Sequence, residues 1–234
     1  MKIGGLQKNS LIDFPGRISC VVFVTGCNFD CPYCHNPDLV QGRAPSPPIS
    51  SRAGLMEFLH RRRGLLDGVV ITGGEPSLQP DLAEVCQEIK SLGFSIKLDT
   101  NGSRPGVLQR LLEDGLLDYI AMDLKTAPER YSPLICRSCD VSAIRESVRL
   151  ILASGLPHEF RTTCIKPLID EAAVDAMGTL VAGADRHILQ RVQVKNVDVL
   201  HPEFFETHDW FLEEHVLEAY RLRLAEKVRQ CSLR

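Results

Sequence analysis

No apolar run in this chain approaches the about 20 residues needed to span a bilayer, since the longest, Ile18 to Val24, is far too short. Charge of one sign is scarce too. The net charge is −3 and no block of like charges stands out, which leaves no broad electrostatic footprint for nucleic acid or an anionic membrane. The opening residues Met1-Lys2-Ile3-Gly4-Gly5 lack the apolar segment of a secretory signal, so the expected location is the cytoplasm. Nine cysteines in 234 residues are too few for a disulfide scaffold. There is no internal repeat. The 44% hydrophobic and 24% charged residues are those of a globular chain with apolar surface for a large core, so disorder is excluded and one domain over 1–234 is expected.

What is present is an alternation. Short β-rich apolar runs predict strands at Ile18 to Thr25, Gly68 to Thr72, Ser95 to Asp99, Tyr119 to Asp123, His158 to Cys164 and His187 to Val194. Between them, apolar residues recurring at three and four predict helices at Arg52 to Arg62, Pro80 to Leu92, Pro105 to Asp114, Ser142 to Ala153 and Glu171 to Val181. The basic run Arg61 to Arg63 reads as the solvated end of the first helix. Gly93 and Gly155 follow helical patterns and read as C-terminal caps. Such alternation implies an α/β fold with parallel strands and right-handed crossovers, as an open sheet or a full or partial barrel, and periodicity alone leaves that choice open. A last amphipathic helix is expected from Asp209 to Gln230, and Ala44 to Pro48 is a stiff connector.

The informative segment is Thr25-Gly26-Cys27-Asn28-Phe29-Asp30-Cys31-Pro32-Tyr33-Cys34-His35-Asn36, directly after a predicted strand. Three of the nine cysteines crowd into eight residues here, and in a reducing compartment such crowding points to metal ligation. A four-iron cluster has four metal corners, so three thiolates on one loop leave one iron open to a ligand or substrate. Two plainer readings stand beside it. The cysteines could pack as small hydrophobes, or form a zinc knot with His35 or with the pair Cys136 and Cys139. Gly73-Gly74-Glu75 after the next strand offers close backbone approach and a carboxylate that can pair with an ammonium group.

The spacing C-x3-C-x2-C, with Tyr33 before the last cysteine, resembles the radical S-adenosylmethionine superfamily. That resemblance implies a partial (β/α)6 barrel of core about 15–195 with a C-terminal helix, one 4Fe-4S cluster on Cys27, Cys31 and Cys34, and S-adenosylmethionine as cofactor. It also implies reductive cleavage of S-adenosylmethionine to methionine and a 5′-deoxyadenosyl radical. Adenine would lie beside Tyr33, Cys34 and His35, and the cofactor ammonium beside Gly73, Gly74 and Glu75. Three stretches, Gly4 to Gly16, Tyr33 to Pro37 and Ala121 to Lys125, are similar to glycyl-radical activating enzymes, above all the activating proteins of anaerobic ribonucleoside-triphosphate reductase. By that similarity Asp123 and Lys125 contact the cofactor, while Asp99, Thr100 and Asp123 help hold a monovalent cation; Arg161, on the predicted strand with Phe160 and Thr162, either contacts the cofactor carboxylate or pairs with a neighbouring acid. His187 and Gln190 lie on the last predicted strand, where relatives also contact the cofactor. The implied partners are a glycyl-radical enzyme and a low-potential electron donor such as flavodoxin or ferredoxin, with no nucleic acid and no membrane. A radical enzyme acting on a small molecule or another protein shares every argument about the cluster. A non-enzymatic zinc or electron-transfer module is the remaining class.

Overall fold

The computed structural model describes residues 1–43, 48–131, 133–136, 140–194 and 197–234. The proline-rich connector, apart from Pro48, and Cys139 of the second cysteine pair lie outside them. The chain forms two compact units. The first comprises Met1–Asn28, Asp38–Thr100 and Gly106–Ile120; the second comprises Phe29–Pro37, Asn101–Pro105 and Ala121–Arg234.

In the first unit, β1 (Ile3–Ser10) runs antiparallel to β2 (Ser19–Val24), which pairs in parallel with β3 (Gly68–Gly73) and, through it, β4 (Ser95–Thr100). The parallel strands read as continuous apolar runs because both faces are covered: Cys20, Val21, Val22, Val69, Val70 and Ile71 are all buried. In register, Val21 faces Val70 and Val70 faces Lys97. Val21 and Val70 pack with Phe14 and Tyr119 into one cluster, so Phe14, from the β1–β2 loop, is a core residue.

Short α1 (Pro37–Val40) precedes α2 (Arg52–Arg61), whose N-terminus is capped by the Ser51 hydroxyl accepting from the Gly54 N–H at 3.1 Å. Helix α3 (Leu82–Ser91) buries Leu82, Val85, Cys86 and Ile89, one stripe at three- and four-residue spacing. It ends as expected at Gly93, whose φ of 90° lets the Phe94 N–H return to Ile89 O at 3.4 Å and its own to Lys90 O at 2.9 Å. Helix α4 (Pro105–Glu113) leads to β5 (Tyr119–Asp123).

In the second unit, α5 (Val141–Ala153), β6 (His158–Cys164), α6 (Glu171–Leu180) and β7 (Arg186–Arg191) continue the alternation, with β6 and β7 parallel. Two short helices, α7 (Pro202–Thr207) and α8 (Glu214–Ala225), precede β8 (Gln230–Leu233), which pairs in parallel with β7.

All six expected strands form, and β1 and β8 are added. The polar stretch Gln7-Lys8-Asn9 hides β1 from periodicity, because an edge strand shows one side to water. The single helix expected over 209–230 is corrected to α8 flanked by extended chain. Residue 208 is already extended, the Trp210 carbonyl accepts from the Lys166 N–H at 3.0 Å, and the last residues leave the helix to hydrogen-bond β7. The apolar stripe was nonetheless a core signal: Leu212, Leu217, Tyr220, Leu224 and Val228 are buried, and Leu224 reaches Gly178 of α6. Strand β7 ends at Arg191 rather than Val194. Among the described residues no helix is long and apolar enough to cross a membrane.

Candidate active site

In the first unit, β2 runs into Gly26 and Cys27, and β3 into Gly73-Gly74-Glu75. The two strand ends are clamped together by backbone: Gly74 N–H donates to Val24 O, and Glu75 N–H to Gly26 O, each at 2.8 Å. A Cβ at Gly74 would lie 2.0 Å from the Gly26 carbonyl oxygen, and one at Gly73, where φ is +116°, would lie 2.4 Å from the Val24 nitrogen. These glycines therefore let backbone approach the loop that carries Cys27, where the sequence suggested approach to a ligand.

Glu75 is only 1% exposed. Its Oε1 accepts from the Ser77 N–H at 3.0 Å, the Ser77 hydroxyl at 2.6 Å and the Thr100 hydroxyl at 2.7 Å. Two expected site residues, Glu75 and Thr100, are thus brought together, and the carboxylate also caps the turn Pro76–Leu78. Glu75→Ala is expected to lower stability by roughly 1–3 kcal/mol, because buried hydroxyls lose their acceptor. Urea unfolding of the cluster-free chain checks this; an unchanged midpoint would limit Glu75 to ligand binding. Asp99 is paired with Lys97, which is 2% exposed and lies 5.8 Å over the Tyr119 ring. Lys97 was not anticipated, because a lysine inside an apolar run gives no sign of its partner.

In the second unit, the Cys34 N–H closes a turn on the Cys31 carbonyl at 3.0 Å. The loop is held from three sides: Asp30 N–H donates to Ile135 O at 2.8 Å, Leu200 N–H to Cys34 O at 3.0 Å, and His201 N–H to Pro32 O at 3.2 Å. His201 also reaches the Asp30 carboxylate at 2.9 Å, and that hydrogen bond raises its pKa. His35 points its Nε2 at the Gln193 carbonyl, 2.8 Å away. Sequence reasoning missed Leu200 and His201, since more than 160 residues separate them from the loop they hold.

Tyr33 is buried at 5% exposure, and its hydroxyl has no hydrogen-bond partner among the described residues. Burial, then the nearby Cys31 thiol, pushes its pKa well up, so the phenol stays protonated. A buried donor left unmatched is costly, which marks this as a place to receive a ligand atom. The Lys125 ammonium sits 5.9 Å over the same ring and 2.8 Å from Asp123, whose other oxygen accepts from Arg161 Nε at 2.8 Å. Burial would raise the Asp123 pKa, but Arg161 and Lys125 outweigh it and hold the carboxylate well below its usual range. Burial would lower the Lys125 pKa, yet Asp123 and the sulfurs of Cys31 and Cys34 hold it well above the usual lysine range. Cys31, Tyr33, Cys34, Asp123, Lys125 and Arg161 therefore form one neighbourhood. His187, on β7, is by contrast fully buried against Thr162.

The thiols of Cys31 and Cys34 with a nearby fixed ammonium suit a negatively charged iron–sulfur cluster, and the unmatched phenol and paired charges suit a zwitterionic nucleoside ligand. Among the described residues no group of three or more His, Cys, Asp or Glu side chains is drawn together as a metal cage, so the ligand set rests on spacing and donor chemistry. Cysteines elsewhere differ: burial pushes the thiols of Cys20, Cys86 and Cys164 up to about 12, and Cys136, 2% exposed, is a core residue.

The sequence profile of the Radical SAM superfamily matches residues 21–180. A protein of Methanocaldococcus jannaschii that carries the name glycyl-radical enzyme activating enzyme is 32% identical over 200 residues, covering 83% of this chain and 81% of its own length. A Halobacterium salinarum protein named for GTP 3′,8-cyclase activity is 29% identical over 201 residues, 80% of this chain and 54% of its own. The crystal structure of Streptococcus suis SuiB matches with a TM-score of 0.66 at 11% identity, covering 92% of this chain and 48% of SuiB. The chain thus spans about half the length of the cyclase relative and of SuiB. The structural likeness shows the fold to be of the (β/α)6-like barrel type, with a parallel sheet, flanking helices and C-terminal additions.

Proposed function

Because the chain belongs to the Radical SAM superfamily and is an oxidoreductase of that class, we propose that Cys27, Cys31 and Cys34 hold three irons of one 4Fe-4S cluster beside a site for S-adenosylmethionine. When bound, the cluster supplies the electron that splits S-adenosylmethionine into methionine and a 5′-deoxyadenosyl radical, which takes a hydrogen atom from a protein or small-molecule substrate. The chain's own residues bind and orient. Lys125 offsets thiolate charge, and Asp123 fixes both Lys125 and Arg161 in place to meet the cofactor's polar groups. Tyr33 and the backbone at Cys34 and His35 receive the adenine, and Glu75, presented by Gly73 and Gly74, meets the ammonium. No side chain has to move a proton. A monovalent cation is not part of this reading: Asp99 is paired with Lys97, and Asp123 with two protein cations.

The narrower reading is that the hydrogen comes from a backbone glycine of a partner such as anaerobic ribonucleoside-triphosphate reductase, with a flavodoxin or ferredoxin as electron donor. One observation carries it, the match with the M. jannaschii activating-enzyme relative over 83% of this chain and 81% of that protein. The broader reading, a small molecule or another protein residue, has the wider set of relatives behind it, including the cyclase. Anaerobic reconstitution with iron and sulfide, reduction, and addition of S-adenosylmethionine is expected to release 5′-deoxyadenosine. A purified candidate reductase is then added and its paramagnetic resonance recorded. A glycyl doublet supports the narrower reading; 5′-deoxyadenosine without a doublet moves the assignment to the broader one. Tightly bound zinc in place of iron would overturn both.

A further inference from the structure

Behind Asp123 and Lys125 runs a hydrogen-bonded line that cofactor binding does not use. Leu124, between the two, has both backbone groups fixed: its N–H donates to Arg161 O at 2.8 Å, and its carbonyl accepts the Thr162 hydroxyl at 2.7 Å. The same hydroxyl lies 3.8 Å from the Met177 sulfur, a much weaker acceptor, and its hydrogen is assigned to the Leu124 carbonyl as the shorter of its two remaining contacts, 2.7 Å against 2.9 Å to His187 Nε2. Its oxygen is 2.9 Å from His187 Nε2, and that contact therefore requires an N–H on the imidazole. Leu124, Thr162 and His187 are each 0% exposed, and the Phe160 ring lies 6.5 Å from the imidazole. Burial pushes the His187 pKa down to about 4, which keeps the ring neutral near pH 7. Lys125 is fixed from the other side as well, its N–H donating to the Tyr131 hydroxyl at 3.0 Å.

We propose that His187, acting through Thr162, is a positioning residue for Asp123 and Lys125: by fixing the Leu124 carbonyl it sets the direction in which the two flanking side chains project. It thereby tunes affinity for S-adenosylmethionine while touching neither cofactor nor cluster. The proposal rests on the reading of Asp123 and Lys125 as cofactor-binding residues. Thr162 and His187 lie on β6 and β7, strands whose register places Thr162 opposite Leu189 and Phe160 opposite His187, so the line crosses from strand to strand into the end of β5.

The test uses the full chain with its cluster reconstituted, comparing Thr162→Val, Thr162→Ser, His187→Leu, His187→Gln and Lys125→Ala. S-adenosylmethionine affinity is measured by anaerobic calorimetry, iron content by chemical analysis, and amide exchange over Leu124 to Thr126 on the cluster-free chain. Thr162→Val and His187→Leu are expected to weaken binding about three- to tenfold, the worth of one net hydrogen bond, and to speed exchange while leaving iron content unchanged. Serine and glutamine, which restore the hydroxyl and an N–H, recover both readouts. If Lys125→Ala weakens binding while Thr162→Val and His187→Leu do not, the relay is overturned and the cofactor reading stands. Unchanged binding in Lys125→Ala overturns that reading and the relay with it. Thr162→Val nearly preserves volume, so it reports even where His187→Leu does not fold; loss of iron in Thr162→Val parallel to the loss of affinity would assign a general structural role and overturn the proposal.

Discussion

Cys31→Ala is expected to bring iron content and 5′-deoxyadenosine release down to background after anaerobic reconstitution. With only two thiolates two corners of a four-iron cluster are left without protein ligands, and the cluster does not persist. The alanine also removes one of the sulfurs that hold Lys125 charged, so an ammonium placed for the cluster loses part of its counter-charge. Cys86→Ala is the matched control. Its thiol is buried in α3 with a pKa pushed up to about 12, so that change should cost on the order of 1 kcal/mol of stability and leave iron in place. Iron and sulfide analysis of the two variants, with product chromatography, decides the matter: full iron content in Cys31→Ala would remove the loop from the ligand set.

The second large effect is expected at a residue with no side chain. Gly74→Ala would place a methyl carbon 2.0 Å from the Gly26 carbonyl oxygen and 2.7 Å from its carbon, both of them backbone atoms with little freedom to yield. Relief requires the ends of β2 and β3 to separate, which breaks the bonds from Gly74 to Val24 and from Glu75 to Gly26. A loss of roughly 3–5 kcal/mol is expected, in the range of severe overpacking combined with broken buried hydrogen bonds. Because Gly26 precedes Cys27, iron uptake should fall as well. Urea unfolding and iron analysis check both parts, and a variant within about 1 kcal/mol of the parent would show that the strand ends are not clamped as described.

Much of this was legible from the chain alone, for local reasons. Parallel strands covered on both faces appear as unbroken apolar runs such as Cys20 to Val24, and α3 and α6 as stripes of period 3.6, so element type followed from composition. The cysteine loop was legible because all three ligands lie within eight residues. The 209–230 segment was misread because Leu212, Val216, Tyr220 and Leu224 recur every four residues although the chain over 209–230 is not all helix. Gly73 and Gly74 were found, yet the reason for them was not, since nothing in a Gly-Gly-Glu triplet says whether backbone or ligand comes close.

The sequence by itself determined the alternation, the spacing of the thiols and the identity of the acidic and basic residues near them, because each is encoded within a few neighbouring positions. Only the tertiary structure decided which partners those residues meet. Asp99 meets Lys97, Asp123 meets Lys125 and Arg161, Glu75 meets Ser77 and Thr100, and the loop around Cys31 and Cys34 is held by Leu200 and His201. The physical reason is range. A strand or helix pattern repeats over two to four residues, whereas a buried charge or carbonyl must be matched wherever the fold brings a partner, even from 171 positions away as for His201 and Asp30.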